Sequence, residues 1–110
     1  MIAENTQTQM RKGILEYCIL SIIARDETYA SDIIAELKKA QLLVVEGTLY
    51  PLLTRLKNNG LLTYNWVEST SGPPRKYYAL SDEGRKVLDQ LDITWKELAF
   101  AVETAIGKKK

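Results

Sequence analysis

Two short stretches of this chain carry side chains suited to bonding an anionic surface. The first holds Thr48, Tyr50, Thr54, Arg55, Lys57 and Asn58; the second holds Arg75 and Lys76. Arginine matches the paired acceptors of guanine or a phosphate, and asparagine matches adenine. A threonine bonds phosphate or touches a thymine methyl. The Tyr50 hydroxyl either reaches a backbone phosphate or packs. From Gly47 to Val67 there is no carboxylate. A solvated helix usually mixes both signs, whereas one that docks in an anionic groove has this composition.

Other chemistries lack their reagents. The chain has no histidine and one cysteine, Cys18, in an apolar run. A zinc site or a histidine acid–base mechanism therefore has no ligands to use. No glycine-rich phosphate loop or paired carboxylates point to an enzyme, and nothing calls for a cofactor. Cys18 cannot form an internal disulfide and reads as a small core residue, which fits a reducing compartment. Residues 1–9 are polar, with no apolar signal-peptide region, and no apolar run approaches the ~18 residues of a membrane span. A cytoplasmic location is expected.

At 110 residues, 45% hydrophobic and 26% charged, the chain fits one globular domain with a modest core. A net charge of +1 says little about partners. Its distribution says more. Between Gly47 and Ser81, Arg55, Lys57, Arg75 and Lys76 face only Glu68. That local excess doubles if the chain pairs two-fold.

The binding residues need elements to hold them. Leu49, Leu52, Leu53 and Leu56 recur at helical spacing and form one apolar stripe. The polar residues fall largely opposite it. Pro51 is tolerated near a helix start, so the helix should begin near Gly47; Gly60 should stop it in a left-handed conformation. Upstream, residues 1–9 read as a flexible arm. From Met10 onward, Ile14, Leu15, Tyr17, Cys18, Ile19, Leu20, Ile22 and Ile23 make a helix apolar on more than one side. Thr28 is the expected cap of the next helix, whose stripe is Ala30, Ile33, Ile34 and Leu37. Residues 41–45 form a bridge, extended or a short strand.

After Gly60 the period changes to two. Leu62, Tyr64 and Trp66 share one side of a strand, and residues 75–80 return as a second. Residues 68–74 form a polar turn between them. Arg75 and Lys76 are adjacent on a strand and point to opposite faces, with at least one placed to reach phosphate. Tyr77, Tyr78 and Trp66 read as packing residues. Ser81 caps a last helix. Its Leu88, Leu91, Trp95, Leu98, Val102 and Ala105 alternate at three and four, the pattern of a coiled-coil seam. Such a helix needs a partner, and a symmetric homodimer is expected.

Three helices, a hairpin and a further helix describe a mainly α fold. It is a winged helix-turn-helix over residues 10–80, a dimerisation helix over 81–106 and a basic tail over 107–110. In such a module the third helix enters the major groove of double-stranded DNA. The runs Gly47-Thr48-Leu49-Tyr50-Pro51-Leu52-Leu53, Arg55-Leu56, Gly60-Leu61-Leu62 and Arg75-Lys76-Tyr77-Tyr78-Ala79-Leu80-Ser81, with Gly84 following, resemble the signature of the PadR-like transcriptional regulators. The likeness covers roughly residues 10–106. It implies a dimeric DNA-binding regulator, typically a repressor acting on a pseudo-palindromic operator. In the smaller members a tryptophan of the last helix lines a cavity for an aromatic or drug-like effector between subunits, and Trp95 matches it. Pro73-Pro74 departs from the glycines usual at the wing tip. The competing reading is a winged-helix module that binds protein. Salt dependence separates the two, because phosphate binding releases counterions.

Overall fold

A computed structural model describes residues 2–107 of the chain, with side chains from Asn5 onward. The basic tail Lys108-Lys109-Lys110 lies outside the described residues. The elements run α1 (Ile2–Arg25), β1 (Thr28–Tyr29), α2 (Ala30–Lys39), α3 (Glu46–Asn58), β2 (Leu62–Ser69), β3 (Gly72–Leu80) and α4 (Asp82–Ala105). The strands form one antiparallel sheet in the order β1-β3-β2.

The apolar stripes meet in one core. Leu15, Ile19, Leu20 and Ile23 of α1 pack with Ala30, Ile33 and Leu37 of α2 and with Leu49, Leu53 and Leu56 of α3. Leu62, Tyr78 and Leu88 close it from the sheet and α4. Burial of this kind is the main favourable term in folding, worth about 1.5–3 kcal/mol for each fully buried aliphatic side chain.

Three expectations are corrected here. Residues 2–9 are helical, continuous with α1, rather than a loose arm. Residues 5–13 are exposed, so this extension rests on the good helix formers Gln, Met, Arg and Lys and on propagation from a buried second half. Thr28 does not cap α2: it pairs with Tyr78 in β1, and Tyr29 stands at the cap without a side-chain bond. Residues 41–45 are a bridge, as expected, and form no strand. The hairpin turn is also tighter than its composition implies. Ser69 already pairs with Gly72, and Val67 pairs with Arg75. Pro73 and Pro74 therefore oppose Glu68 alone in a bulge. β1 pairs with β3 only at Tyr77 and Tyr78, so the prolines lie where the second edge of β3 is open, a place that tolerates a missing N–H.

The end of α3 is locked to the start of α4. Gly60 has φ +83 and donates to Lys57 O, while Leu61 N donates to Leu56 O, which together make a Schellman stop. The Ser81 hydroxyl donates to the Gly60 carbonyl at 2.6 Å and accepts from Gly84 N at 2.9 Å. Ser81 N donates to Leu61 O. A Cβ on residue 84 would overlap the Leu61 carbonyl oxygen. The α1 helix holds the next part of α4: Tyr17 donates to Asp92 at 2.6 Å, and that bond to a carboxylate pushes the phenol pKa up to about 12.

The surroundings of helix α4 change along one stripe. Leu88 is 6% exposed and belongs to the chain's own core, and Leu91 packs against it. Leu91 is only half-buried in the single chain. Farther along, Trp95 at 43%, Leu98 at 50% and Val102 at 50% are open, with Ile106 exposed on the same side and Phe100 exposed on the other.

Gly84→Ala is expected to destabilise the fold by about 1–3 kcal/mol, since overpacking against backbone outweighs the gain in helix propensity. Urea denaturation measures this; an unchanged midpoint would contradict the close approach.

Candidate nucleic-acid interface

Helix α3 begins one residue before the expected Gly47. Val45 O accepts from both Thr48 N and Leu49 N, and Glu46 in the first turn suits the positive end of the helix dipole. Pro51 lies inside the helix. Its missing N–H falls on the outward side, where Thr48, Tyr50, Thr54, Arg55, Lys57 and Asn58 are all exposed. The leucine stripe beneath holds these side chains in register.

The two cations of α3 diverge. Lys57 Nζ lies 5.6 Å from the centre of the Tyr64 ring of β2, on the wing side. Arg55 turns the other way and is ion-paired with Glu16 of α1. The sequence holds no carboxylate between Gly47 and Val67, yet the fold brings Glu16 to this face from 39 positions upstream of Arg55.

The wing cations also part, as strand alternation requires. The Arg75 guanidinium stacks 3.9 Å from the Tyr29 ring centre and donates to Ser31 Oγ at 2.8 Å. Lys76 Nζ lies 4.5 Å from the Tyr64 ring centre and 5.5 Å from that of Trp66. Cation–π contacts at exposed sites are worth about 0.5–1 kcal/mol, enough to restrain these side chains without neutralising them. Both line a cleft of about 380 Å³ between wing, α2 and α3, together with Ser31, Glu46, Tyr50 and Trp66. With two cations against the single carboxylate of Glu46, and with the Ser31 and Tyr50 hydroxyls in its lining, the cleft has the chemistry to seat a phosphate.

Sequence reasoning does not find Glu16, Tyr29 and Ser31. Each acts only through a partner distant in sequence, so no local spacing marks it. Among the described residues no group of His, Cys, Asp and Glu side chains is placed to hold a metal ion. Also among these residues, no helix is long and apolar enough to cross a membrane. Cys18 is half-buried, and burial raises its thiol pKa, as for an inert core cysteine.

Three helices and a two-stranded wing, with an exposed polar face on the third helix, define a winged helix-turn-helix protein. Residues 19–90 match the model of the transcriptional regulator PadR-like family, and the chain belongs to that family of DNA-binding regulators. It is similar to a PadR-like transcription factor from Bacteroides fragilis, with 59% identity, 92% of this chain and 98% of that one covered, and a TM-score of 0.79. A PadR family regulator from Eggerthella lenta aligns over 98% of this chain and 95% of its own, at 31% identity and TM-score 0.87. A PadR-like regulator from Bacillus cereus shares 35% identity over 92% and 99% of the two chains, with TM-score 0.81.

Arg75→Gln and Lys76→Gln are each expected to weaken DNA binding about equally on all sequences. Each should also reduce the log–log salt slope by about one for every phosphate that it leaves without a cation. Fluorescence anisotropy over a salt series measures this; slopes unchanged in both variants would remove the wing from the interface.

Proposed function

We propose that this chain is a homodimeric, sequence-specific repressor of transcription that works in the cytoplasm. Two copies of α3 enter successive major grooves about 34 Å apart on a pseudo-palindromic operator, and two wings grip the flanking backbone. Thr48, Tyr50, Thr54, Arg55, Lys57 and Asn58 contact bases and phosphates from α3, with Arg75 and Lys76 on the wing. Bound across a promoter, such a dimer blocks transcription by occupancy.

The observation that carries this reading is the division of surfaces in one family member. The polar face of α3 and the cationic cleft are open on one side, and Trp95, Leu98 and Val102 form an uncovered apolar stripe on α4. One α3 helix with so little net charge cannot hold DNA tightly, so the stripe supplies the second copy. The resemblance of Trp95 to the effector-lining tryptophan of smaller family members supports an aromatic or drug-like ligand at that interface. Such a ligand regulates only if it binds the DNA-competent and incompetent arrangements with different affinity.

Purified protein is expected to select, from its source genome, promoter fragments with a two-fold symmetric site. Leu98→Asp should sediment as a monomer and bind those fragments more weakly by on the order of a hundredfold, the scale of the avidity that pairing supplies. A Leu98→Asp protein that remains dimeric, or a monomer that binds as tightly as the parent, would overturn the proposed assembly.

A further inference from the structure

We propose that Glu16 is the specificity-positioning residue of the DNA face. By holding one terminal nitrogen of Arg55, it keeps that guanidinium from closing on phosphates of any sequence and presents its free donors to a base edge. This rests on the reading of α3 as the helix that enters the major groove.

Arg55 Nη2 is ion-paired with Glu16 Oε2. That oxygen is shut off from solvent, and among the described residues no hydrogen bond from another group reaches it. The two partners are unequal: the Arg55 side chain is 64% exposed, that of Glu16 27%. The half-buried glutamate is the more fixed partner, and breaking the pair costs it the cation that covers its Oε2. The arginine by itself would be an ordinary surface cation.

The ion pair sorts the contacts available to Arg55. An untethered arginine on an exposed helix flank swings onto the nearest phosphate, a contact that carries no sequence information. Here that swing must give up the Glu16 carboxylate for a phosphate, one anion for another, and the pair is neutral, so it adds no general attraction for DNA. A guanidinium has five N–H donors, and Glu16 engages one terminal nitrogen. The remaining donors on the open side are free to bond guanine O6 and N7 without breaking the pair. Correct sequence is then bound with Arg55 in place, while incorrect sequence gains nothing from it. Specificity arises partly from a penalty on the wrong partner.

The test uses the full chain and two labelled duplexes of equal length: one recovered by genomic selection, and a scrambled version. Glu16→Gln removes the charge and keeps the shape. It is expected to raise affinity for the scrambled duplex about tenfold, with less change on the selected duplex. The scrambled-duplex salt slope should steepen by about one per protomer. Glu16→Asp restores the charge and should recover most of the discrimination. In an Arg55→Ala background, Glu16→Gln should change neither ratio nor slope.

The proposal is overturned if Glu16→Gln leaves discrimination and slope at parental values, or if its effect persists without Arg55. Should Glu16→Gln not fold, Arg55→Lys decides the matter, because lysine keeps the ion pair but lacks the planar fork. Its expected result is about a tenfold loss on the selected duplex with the slope unchanged; a changed slope or parental affinity overturns the proposal. A parent protein whose binding to both duplexes ignores salt fails differently: it removes the DNA reading itself, and Glu16 with it.

Discussion

The contact between the Leu61 carbonyl and Gly84 sets the geometry of this molecule. Only a residue without a Cβ permits it. Through it, the end of α3, the start of β2 and the start of α4 share one point. The Schellman stop at Gly60 and the Ser81 cap secure both sides of that point with hydrogen bonds. Helix α3, with its exposed polar face, is thereby tied to helix α4, with its uncovered apolar stripe.

The polar face built on this frame is restrained more than charged. Each of its cations is occupied: Arg55 by Glu16, Lys57 by Tyr64, Arg75 by Tyr29 and Ser31, Lys76 by Tyr64 and Trp66. Among the described residues, only the first is paired with an opposite charge. The aromatic contacts leave the lysines and Arg75 with their full charge available to phosphate, and they reduce the side-chain entropy given up when a phosphate arrives. In the proposed function this face separates a general grip, supplied by the wing, from a tethered reader on α3. The proposed pairing would double the few free charges that each copy carries.

Much of this is legible in the sequence, and the failures share a physical cause. The leucine stripe of α3, the glycine stop and the Ser81 cap are signals written within a few residues, and the structure carries all three. The PadR-like signature is legible for the same reason. What escapes the sequence depends on distance along the chain. Thr28-Tyr29 has no strand signature of its own and becomes β1 only because Tyr77 and Tyr78 lie beside it. Glu16 sits in an apolar helix, and nothing near it announces Arg55. The α4 stripe misleads in another way. Its alternating spacing runs unbroken from Leu88 to Val102, yet the chain's own core claims Leu88 and releases Trp95 onward. Periodicity reports which side of a helix is apolar, not which body covers it.

If two α3 helices, each locked to its own α4, read DNA at a fixed separation, they must leave a matching imprint on the duplex. Hydroxyl-radical footprinting of the protein on a selected promoter fragment reads that imprint. Two protected blocks related by a two-fold axis are expected, their centres one helical turn apart, roughly 10 base pairs. A single block, or protection spreading evenly with no symmetry, would contradict the fixed pair of readers.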